Sequence, residues 1–324
     1  MKVSIIIPAL NAALFLERAI RSAIRAGSQV RGGWEVIIVN NGSTDLTGQI
    51  AGAFVRSHPT HVRFGNCATP GAPAARNHGV ALSHGEWLQF LDADDTLDAD
   101  KIADQLSLAG TTDWVVGGYR HLYPDGNTLD TLPHPDLWFG LFHGYRTGCT
   151  HANLLRRTAL YAAGGWDESL TSNQDCELWF QLLRTGAIPR IDPTIKSYYH
   201  HHDAPRITNA DPAGKQANRV RFLADANDYL FTTRPTYWQQ HAPYFLGALL
   251  RAVRMLATHD LPAASAAYAS YFGAARPWPL PDRPLELMPR YTRLYPTLGF
   301  APLECSRLLL TRYLHPALKQ LLKS

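Results

Sequence analysis

The chain has 324 residues, 46% of them hydrophobic and 18% charged, a globular balance with material for one large domain or two modest ones. No run reaches the roughly 18 apolar residues that a membrane span needs, and Val3 to Ile7, cut short by Pro8, is too brief for the apolar core of a secretory signal. The four cysteines are scattered and form no CxxC pair, which fits a reduced, cytoplasmic protein with free thiols. The net charge of +4 conceals an asymmetry: residues 1–214 carry 17 Lys and Arg against 21 Asp and Glu, and residues 215–324 carry 14 against 6. Such a basic tail suits an anionic lipid surface at the inner face of a membrane or an anionic acceptor, and equally a solvated helical surface rich in arginine.

In chain order, Val3 to Ile7 is a continuous β-branched run, expected of a strand buried on both faces. Leu14, Phe15, Ala19, Ile20, Ala23 and Ile24 then recur at helical spacing, with Asn11 placed to cap that helix. Val36 to Val39 forms a second strand and Asn40-Asn41-Gly42-Ser43 a turn, after which Ser43 or Thr44 can cap a helix reaching about Arg56. Val62 to Phe64 reads as a third strand, Ala74 to Leu82 as a short helix, and Glu86 to Leu91 as a fourth strand. Strand–helix alternation implies a parallel sheet with helices on both faces, and ligands bind such sheets beyond the carboxyl ends of the strands. The polar motifs lie at those ends: Pro8 to Asn11, Asn40 to Asp45, and Asp92 to Asp95. Farther on, a helix is expected over Leu97 to Leu108, a strand at Trp114 to Tyr119, a loop from Leu132 to Gly148, an amphipathic helix from Asn173 to Thr185, and a strand from Ile195 to His200. From Gly214 the pattern is helical, with breaks at Pro235, Pro262 and the Pro277–Pro284 segment.

The sharpest chemical feature is Phe90-Leu91-Asp92-Ala93-Asp94-Asp95. Three carboxylates directly after a buried strand repel one another unless a cation is present. Hard divalent ions such as Mn²⁺ and Mg²⁺ prefer carboxylate and phosphate oxygens, and such an ion can bridge to a diphosphate. An acidic helix start would account for Asp95 but leaves Asp92 and Asp94 unexplained.

Four segments share their order and spacing with a known signature: Val3-Ser4-Ile5-Ile6-Ile7-Pro8-Ala9-Leu10-Asn11; Val36-Ile37-Ile38-Val39-Asn40-Asn41-Gly42-Ser43-Thr44-Asp45; Ala74-Ala75-Arg76-Asn77-His78-Gly79; and the Asp92 segment. Together they resemble glycosyltransferase family 2. The likeness is firm to about residue 105 and looser to about 210. It implies a GT-A fold, with a mainly parallel Rossmann-like sheet flanked by helices over residues 1–212 (donor half 1–105, acceptor and catalytic half 106–212) and a helical C-terminal region, 213–324. It implies an inverting, metal-dependent transfer from a nucleotide-diphosphate sugar to a hydroxyl of a saccharide or lipid-linked saccharide, with bacterial surface polysaccharide or lipopolysaccharide assembly as the usual setting. Nothing points to nucleic acid.

The resemblance also implies roles. Pro8, Ala9 and Asn11 would pass under the nucleobase and ribose, with Ser43 nearby. Asn41 would meet the base edge; the family usually has aspartate at positions 40 and 41. An aspartate only accepts hydrogen bonds whereas an asparagine also donates, so a uridine donor does not follow. Arg76 would face the phosphates, Asp92 would touch the ribose or the metal with Ala93 beside the donor, and Asp94 would ligate the metal through the diphosphate. The family's general base lies in a Glu-Asp pair at a helix start after a Gly-Trp stretch. Here Gly164-Gly165-Trp166 precedes Gln174-Asp175, which assigns the base to Asp175, with Asp167 and Glu177 in reserve; a helix start alone would also favour these acids.

A histidine after a Tyr-rich strand serves several members as a metal or diphosphate contact. In an alternating strand His200 and His202 share a face, and His202 is chosen as the metal contact. Trp138, Phe139, Phe142, His143, Tyr145 and Arg146 have the character of a sugar-binding loop, or of a small hydrophobic core. The C-terminal helices are left three roles: docking on membrane, pairing two protomers, or completing the acceptor cleft. A sugar-nucleotide nucleotidyltransferase would open on a glycine-rich phosphate loop, and Pro8 to Arg18 holds no glycine. A non-catalytic binding module would not need the Asp92, Asp94 and Asp175 set.

Overall fold

The computed structural model describes residues 1–144, 146–202 and 211–313. The chain divides into two compact units, Met1–Ala204 and Pro205–Ser324.

In the first unit the elements run β1 (Val3–Ala9), α1 (Leu16–Ser28), β2 (Trp34–Asn40), α2 (Thr47–Ser57), β3 (Val62–Asn66), α3 (Ala72–Leu82), β4 (Trp87–Phe90), β5 (Thr96–Leu97) and α4 (Lys101–Ala109). They continue through β6 (Trp114–Leu122), β7 (Thr128–Thr131), α5 (Leu137–Phe142), β8 (Leu154–Arg156), α6 (Arg157–Ala162), α7 (Gln174–Arg184) and β9 (Pro189–His200). The strands form one sheet in the order β3-β2-β1-β4-β8-β6-β9-β5, with β7 paired to β6.

The two halves of this sheet differ. β3, β2, β1 and β4 are mutually parallel. β8 then enters antiparallel to both β4 and β6, and β9 returns parallel to β6. The parallel half forms because its strands are continuous apolar runs. Ile5, Ile6 and Ile7 are wholly buried, as are Val36 to Val39. Each such side chain contributes about 1.5–3 kcal/mol of transfer free energy. Leu16, Ala19, Ile20 and Ala23 bury the inner stripe of α1. α3 lies closer still: a Cβ built on Gly79 would stand 2.4 Å from Ile6 Cγ2, so only glycine lets this helix settle on β1. That close seat carries Arg76, one turn earlier, toward the end of β4.

Several local expectations are corrected. Asn11 does not cap α1, because its backbone is in the left-handed region (φ 48°) and its Oδ1 instead accepts from the Thr44 amide at 2.8 Å. Neither Ser43 nor Thr44 caps α2: Asp45 accepts from Thr47 N, while Ser43 Oγ accepts from Asn11 N. The helix expected from Leu97 starts at Lys101, after the short β5. The segment from Leu132 to Gly148 is not all loop, since Asp136 caps α5 by accepting from the Phe139 amide.

Beneath the sheet, Lys101 is almost fully buried, with Nζ bonded to Gln89 Oε1 and 3.5 Å from the Asn153 carbonyl. Burial pulls its pKa down to about 7.

The second unit is helical: α8 (Pro212–Thr233), α9 (Pro235–Leu256), α10 (Leu261–Phe272), α11 (Tyr295–Leu298) and α12 (Phe300–Tyr313). Pro235 and Pro262 lie in first turns, where a missing amide costs nothing. α8 and α9 are tied by a buried Trp238 Nε1–Asn227 Oδ1 bond of 3.0 Å. Glu304 is fully buried and satisfied by Arg254 (3.2 Å), Arg307 (2.5 Å) and the hydroxyls of Tyr291 and Tyr295. No described helix is long and apolar enough to cross a membrane.

Candidate functional site

The carboxyl ends of β1, β2 and β4 converge, and the residues singled out in the sequence gather there. The turns after β1 and β2 are zipped together. Asn11 N donates to Ser43 Oγ (3.0 Å), Ala12 N to Thr47 Oγ1 (2.8 Å), Ala13 N to Asp45 Oδ2 (3.1 Å), and Thr44 N to Asn11 Oδ1. Pro8 and Ala9 end β1 opposite Val39 and Asn40, and the Ala9 carbonyl accepts from Asn41 N. Asn41 is nearly buried. Its Nδ2 donates to the carbonyls of Cys67 (3.2 Å) and Thr69 (2.7 Å), and its Oδ1 accepts from Gly71 N (2.8 Å).

The carboxylates after β4 take three separate environments. Asp92 Oδ1 receives Arg76 at 2.7 Å. The Arg76 guanidinium, 5% exposed, also reaches Gln174 Oε1 (3.2 Å) and lies 4.4 Å over the ring of Trp166. Asp94 Oδ2 is 3.0 Å from His202 Nε2, and its backbone carbonyl accepts from Arg18 at 2.7 Å. Phe15 stacks on the His202 ring at 4.3 Å, which fixes the plane of the imidazole. Ala93 is buried between the two acids.

Asp95 turns inward, 1% exposed. Its Oδ2 is 3.0 Å from Nδ1 of the fully buried His151, and its Oδ1 accepts from His200 N. Burial pushes the Asp95 carboxyl up to about 6, with His151 pulling the other way and Asp94 and Asp92 adding to the rise. Burial opposes charge on His151, but Cys149, whose Sγ is 3.3 Å from Nε2, and Asp95 outweigh it and hold that imidazole well above its usual value.

The three consecutive histidines separate as strand alternation requires. His200 Nε2 pairs with Thr96 Oγ1 (2.9 Å), and burial lowers its pKa to about 4. His201 turns to the other side, 2.9 Å from His121 and stacked on Tyr123. His202 is the one beside Asp94.

Asp175, in the first turn of α7, follows Gln174 and so stands beside the Arg76–Asp92 pair. Thr150, in a 3-10 turn at Thr150–Ala152, donates its hydroxyl to Asp175 Oδ2 at 2.7 Å. Burial raises the Asp175 pKa; Arg76 counteracts this, Asp92 adds to it, and the Thr150 hydrogen bond lowers it again. Upstream, Gly164 and Gly165 adopt φ of 86° and 77°, and Asn77 clamps both backbone groups of Trp166. The reserve acids are occupied elsewhere: Asp167 holds Ser169, and Glu177 accepts from Gln181.

Of the aromatic loop, Leu137, Leu141 and Phe142 are buried, Trp138 meets Phe180 edge-on, and Phe139 stacks on His134, so these form a small core. His143 and Arg146 are exposed; Tyr145 lies outside the described residues.

Chemically, the oxygen-rich donor set suits a hard divalent ion. Asp94 and His202 offer one oxygen and one nitrogen, and the ligand atoms of Asp92, Asp95 and His151 lie within 4.8 Å of one another. Sequence reasoning missed His151, Thr150 and Arg18. His151 sits more than 50 residues from Asp95, and Thr150 is 25 residues from Asp175, both on an irregular segment, and no spacing rule connects them. Arg18 reads as an ordinary helix-surface cation.

Residues 4–164 match the sequence profile described as Glycosyl transferase family 2. A protein of Rickettsia bellii named an uncharacterized glycosyltransferase is 28% identical over 268 residues, covering 75% of this chain; the chain spans 38% of that relative's length. Among solved structures, S. aureus TarS 1-349 in complex with UDP-GlcNAc aligns with a TM-score of 0.55 at 16% identity, covering 82% of this chain and 84% of that one. The mannosyltransferase PcManGT of Pyrobaculum calidifontis, in complex with GDP-Man and Mn2+, aligns with a TM-score of 0.52 at 17% identity, covering 96% and 88%. At these identities the likeness extends to the fold.

Proposed function

The chain belongs to glycosyltransferase family 2 and has the GT-A fold, and from that premise we propose that it moves a sugar from a nucleoside-diphosphate donor to a hydroxyl acceptor by one displacement with inversion. The observation that carries this reading is a set of three contacts on neighbouring residues: Asp94 with His202, Asp92 with Arg76 and through it Gln174, and, next in sequence to Gln174, Asp175 with Thr150. It joins a cation-binding end to a carboxylate of raised pKa within one unit, as donor activation and acceptor deprotonation require.

The geometry supports a role for each residue. The zipped turns after β1 and β2 form the floor for the nucleoside. Asp94 and His202 would hold Mn²⁺ or Mg²⁺, with Asp92, Asp95 and His151 completing the negative and imidazole surroundings. When bound, such an ion neutralises charge on the departing diphosphate. Arg76 keeps Asp92 in place and adds a fixed positive charge. Thr150 occupies Asp175 Oδ2, which leaves Oδ1 as the oxygen to take the acceptor's proton during attack on the anomeric carbon. The acceptor class is a saccharide or lipid-linked saccharide hydroxyl, in keeping with surface polysaccharide assembly.

The anomeric configuration of the product, read by proton NMR, tests the displacement. The expected sugar linkage is opposite in configuration to that of the donor. A product that retains the donor's configuration would remove the single displacement and the base role with it.

A further inference from the structure

Asn41 stands where the base of the donor would be read, yet its side chain is already committed. Both Nδ2 hydrogens go to main-chain carbonyls, Cys67 and Thr69, and Oδ1 holds the Gly71 amide. An amide has two donor hydrogens and two lone pairs. After these three bonds it has no donor left for a base edge. Flipping the amide would set its oxygen against two carbonyls and its nitrogen against an N–H, so the network itself fixes the orientation. The three bonds span residues 67–71, the whole link from β3 to α3. The loop's other end is tied by Cys67 N to the Asn40 carbonyl, and Ala68, Thr69 and Pro70 are exposed.

We propose that Asn41 is a positioning residue: it clasps the 67–71 loop, and that loop, not the Asn41 amide, reads the nucleobase of the donor. This rests on the nucleotide-sugar reading above. The physical argument is a matter of lone pairs. A carboxylate at position 41 could keep the Gly71 bond, but it would face the carbonyl oxygens of Cys67 and Thr69 at 3.2 and 2.7 Å with no hydrogen between them. The loop conformation seen here therefore requires an amide, and a chain with aspartate at this position must carry its loop differently. The Asn-for-Asp difference acts on base choice through the shape of the loop.

The test uses the full chain with Mn²⁺ and the diphosphates of uridine, guanosine, cytidine, adenosine and thymidine, titrated calorimetrically against wild type, Asn41→Asp and Asn41→Ser. Hydrogen exchange at the amides of Ala68, Thr69 and Gly71 is followed in parallel without nucleotide. The clasp predicts faster exchange across these loop amides in both variants. It also predicts that the diphosphate preferred by wild type loses about tenfold or more in affinity, so that the five become nearly equal. Unchanged exchange in the variants overturns the proposal. So does a gain by Asn41→Asp for uridine, thymidine or guanosine diphosphate, the bases whose edges present a ring N–H to a carboxylate. Asn41→Ser adds no charge and decides the matter if Asn41→Asp does not fold. Wild-type protein that binds none of the five strikes the nucleotide-sugar reading instead, while the exchange result still reports on the clasp.

Discussion

Asp175→Asn is expected to bind donor and metal as the parent does and to lose transfer by about 10²- to 10⁴-fold, the range that a general base supplies. The substitution is nearly isosteric, and an amide oxygen can still accept the Thr150 hydroxyl now bonded to Oδ2. What it removes is the ability to take a proton. The loss should therefore fall on kcat, with nucleotide affinity by calorimetry unchanged. The pH profile gives a second reading. Burial raises the Asp175 pKa, only partly offset by Arg76 and Thr150. A base is inactive when protonated, so kcat/KM should rise with pH along a limb displaced above the usual carboxylate range, and that limb should be missing from the residual activity of Asp175→Asn. Full activity in the variant would reassign the base.

Asp94→Ala is expected to lower kcat/KM by on the order of 10²- to 10³-fold, the size seen when one charge-stabilising group is withdrawn from a developing anion. Excess EDTA should silence the parent protein and Mn²⁺ should restore it. The contact with His202 Nε2 at 3.0 Å gives the prediction its specificity. Removing Asp94 leaves the imidazole, still stacked on Phe15, as the lone member of its pair. A Mn²⁺-dependent rise in melting temperature should accordingly be present in the parent and much reduced in Asp94→Ala, because a ligand stabilises only the state that binds it. Chelator-insensitive turnover, or a melting response equal to the parent's, would count against this placement of the ion.

The parallel half of the sheet was legible for a physical reason. Parallel strands buried on both faces must be continuous apolar runs, and β1 and β2 are read directly as such. Their motifs lie at strand ends because ligands do. In the rest of the sheet the strands at Trp114 and before His200 were legible as apolar or aromatic runs, and the short β5, β7 and β8 were not. β8 has three residues and β7 four, too few for any periodicity; β8 is specified by β4 and β6, both distant in sequence, and β7 closes a hairpin on β6. Local chemistry misled in a particular way at Asn11 and Ser43. Both are good helix-capping residues, yet here they bond to each other's turns, because joining the ends of β1 and β2 satisfies the same groups across a tertiary contact. At Asp95 a helix-start carboxylate was a fair reading of the sequence. The structure sends it inward to His151, a residue that nothing near it in sequence brings to notice. The histidines were the opposite case: a period of two is a local rule, and it separates His201 from His200 and His202, although only the fold sets His202 against Asp94 and His200 against Thr96.

The measurement that bears most directly on the central claim is release of nucleoside diphosphate from a panel of sugar nucleotides, with Mn²⁺ present, by wild type and Asp94→Ala side by side. Wild type is expected to turn over at least one member of the panel, and Asp94→Ala to lose that turnover. Wild-type protein that neither binds nor cleaves any of them, or a variant that cleaves as fast as its parent, would contradict it.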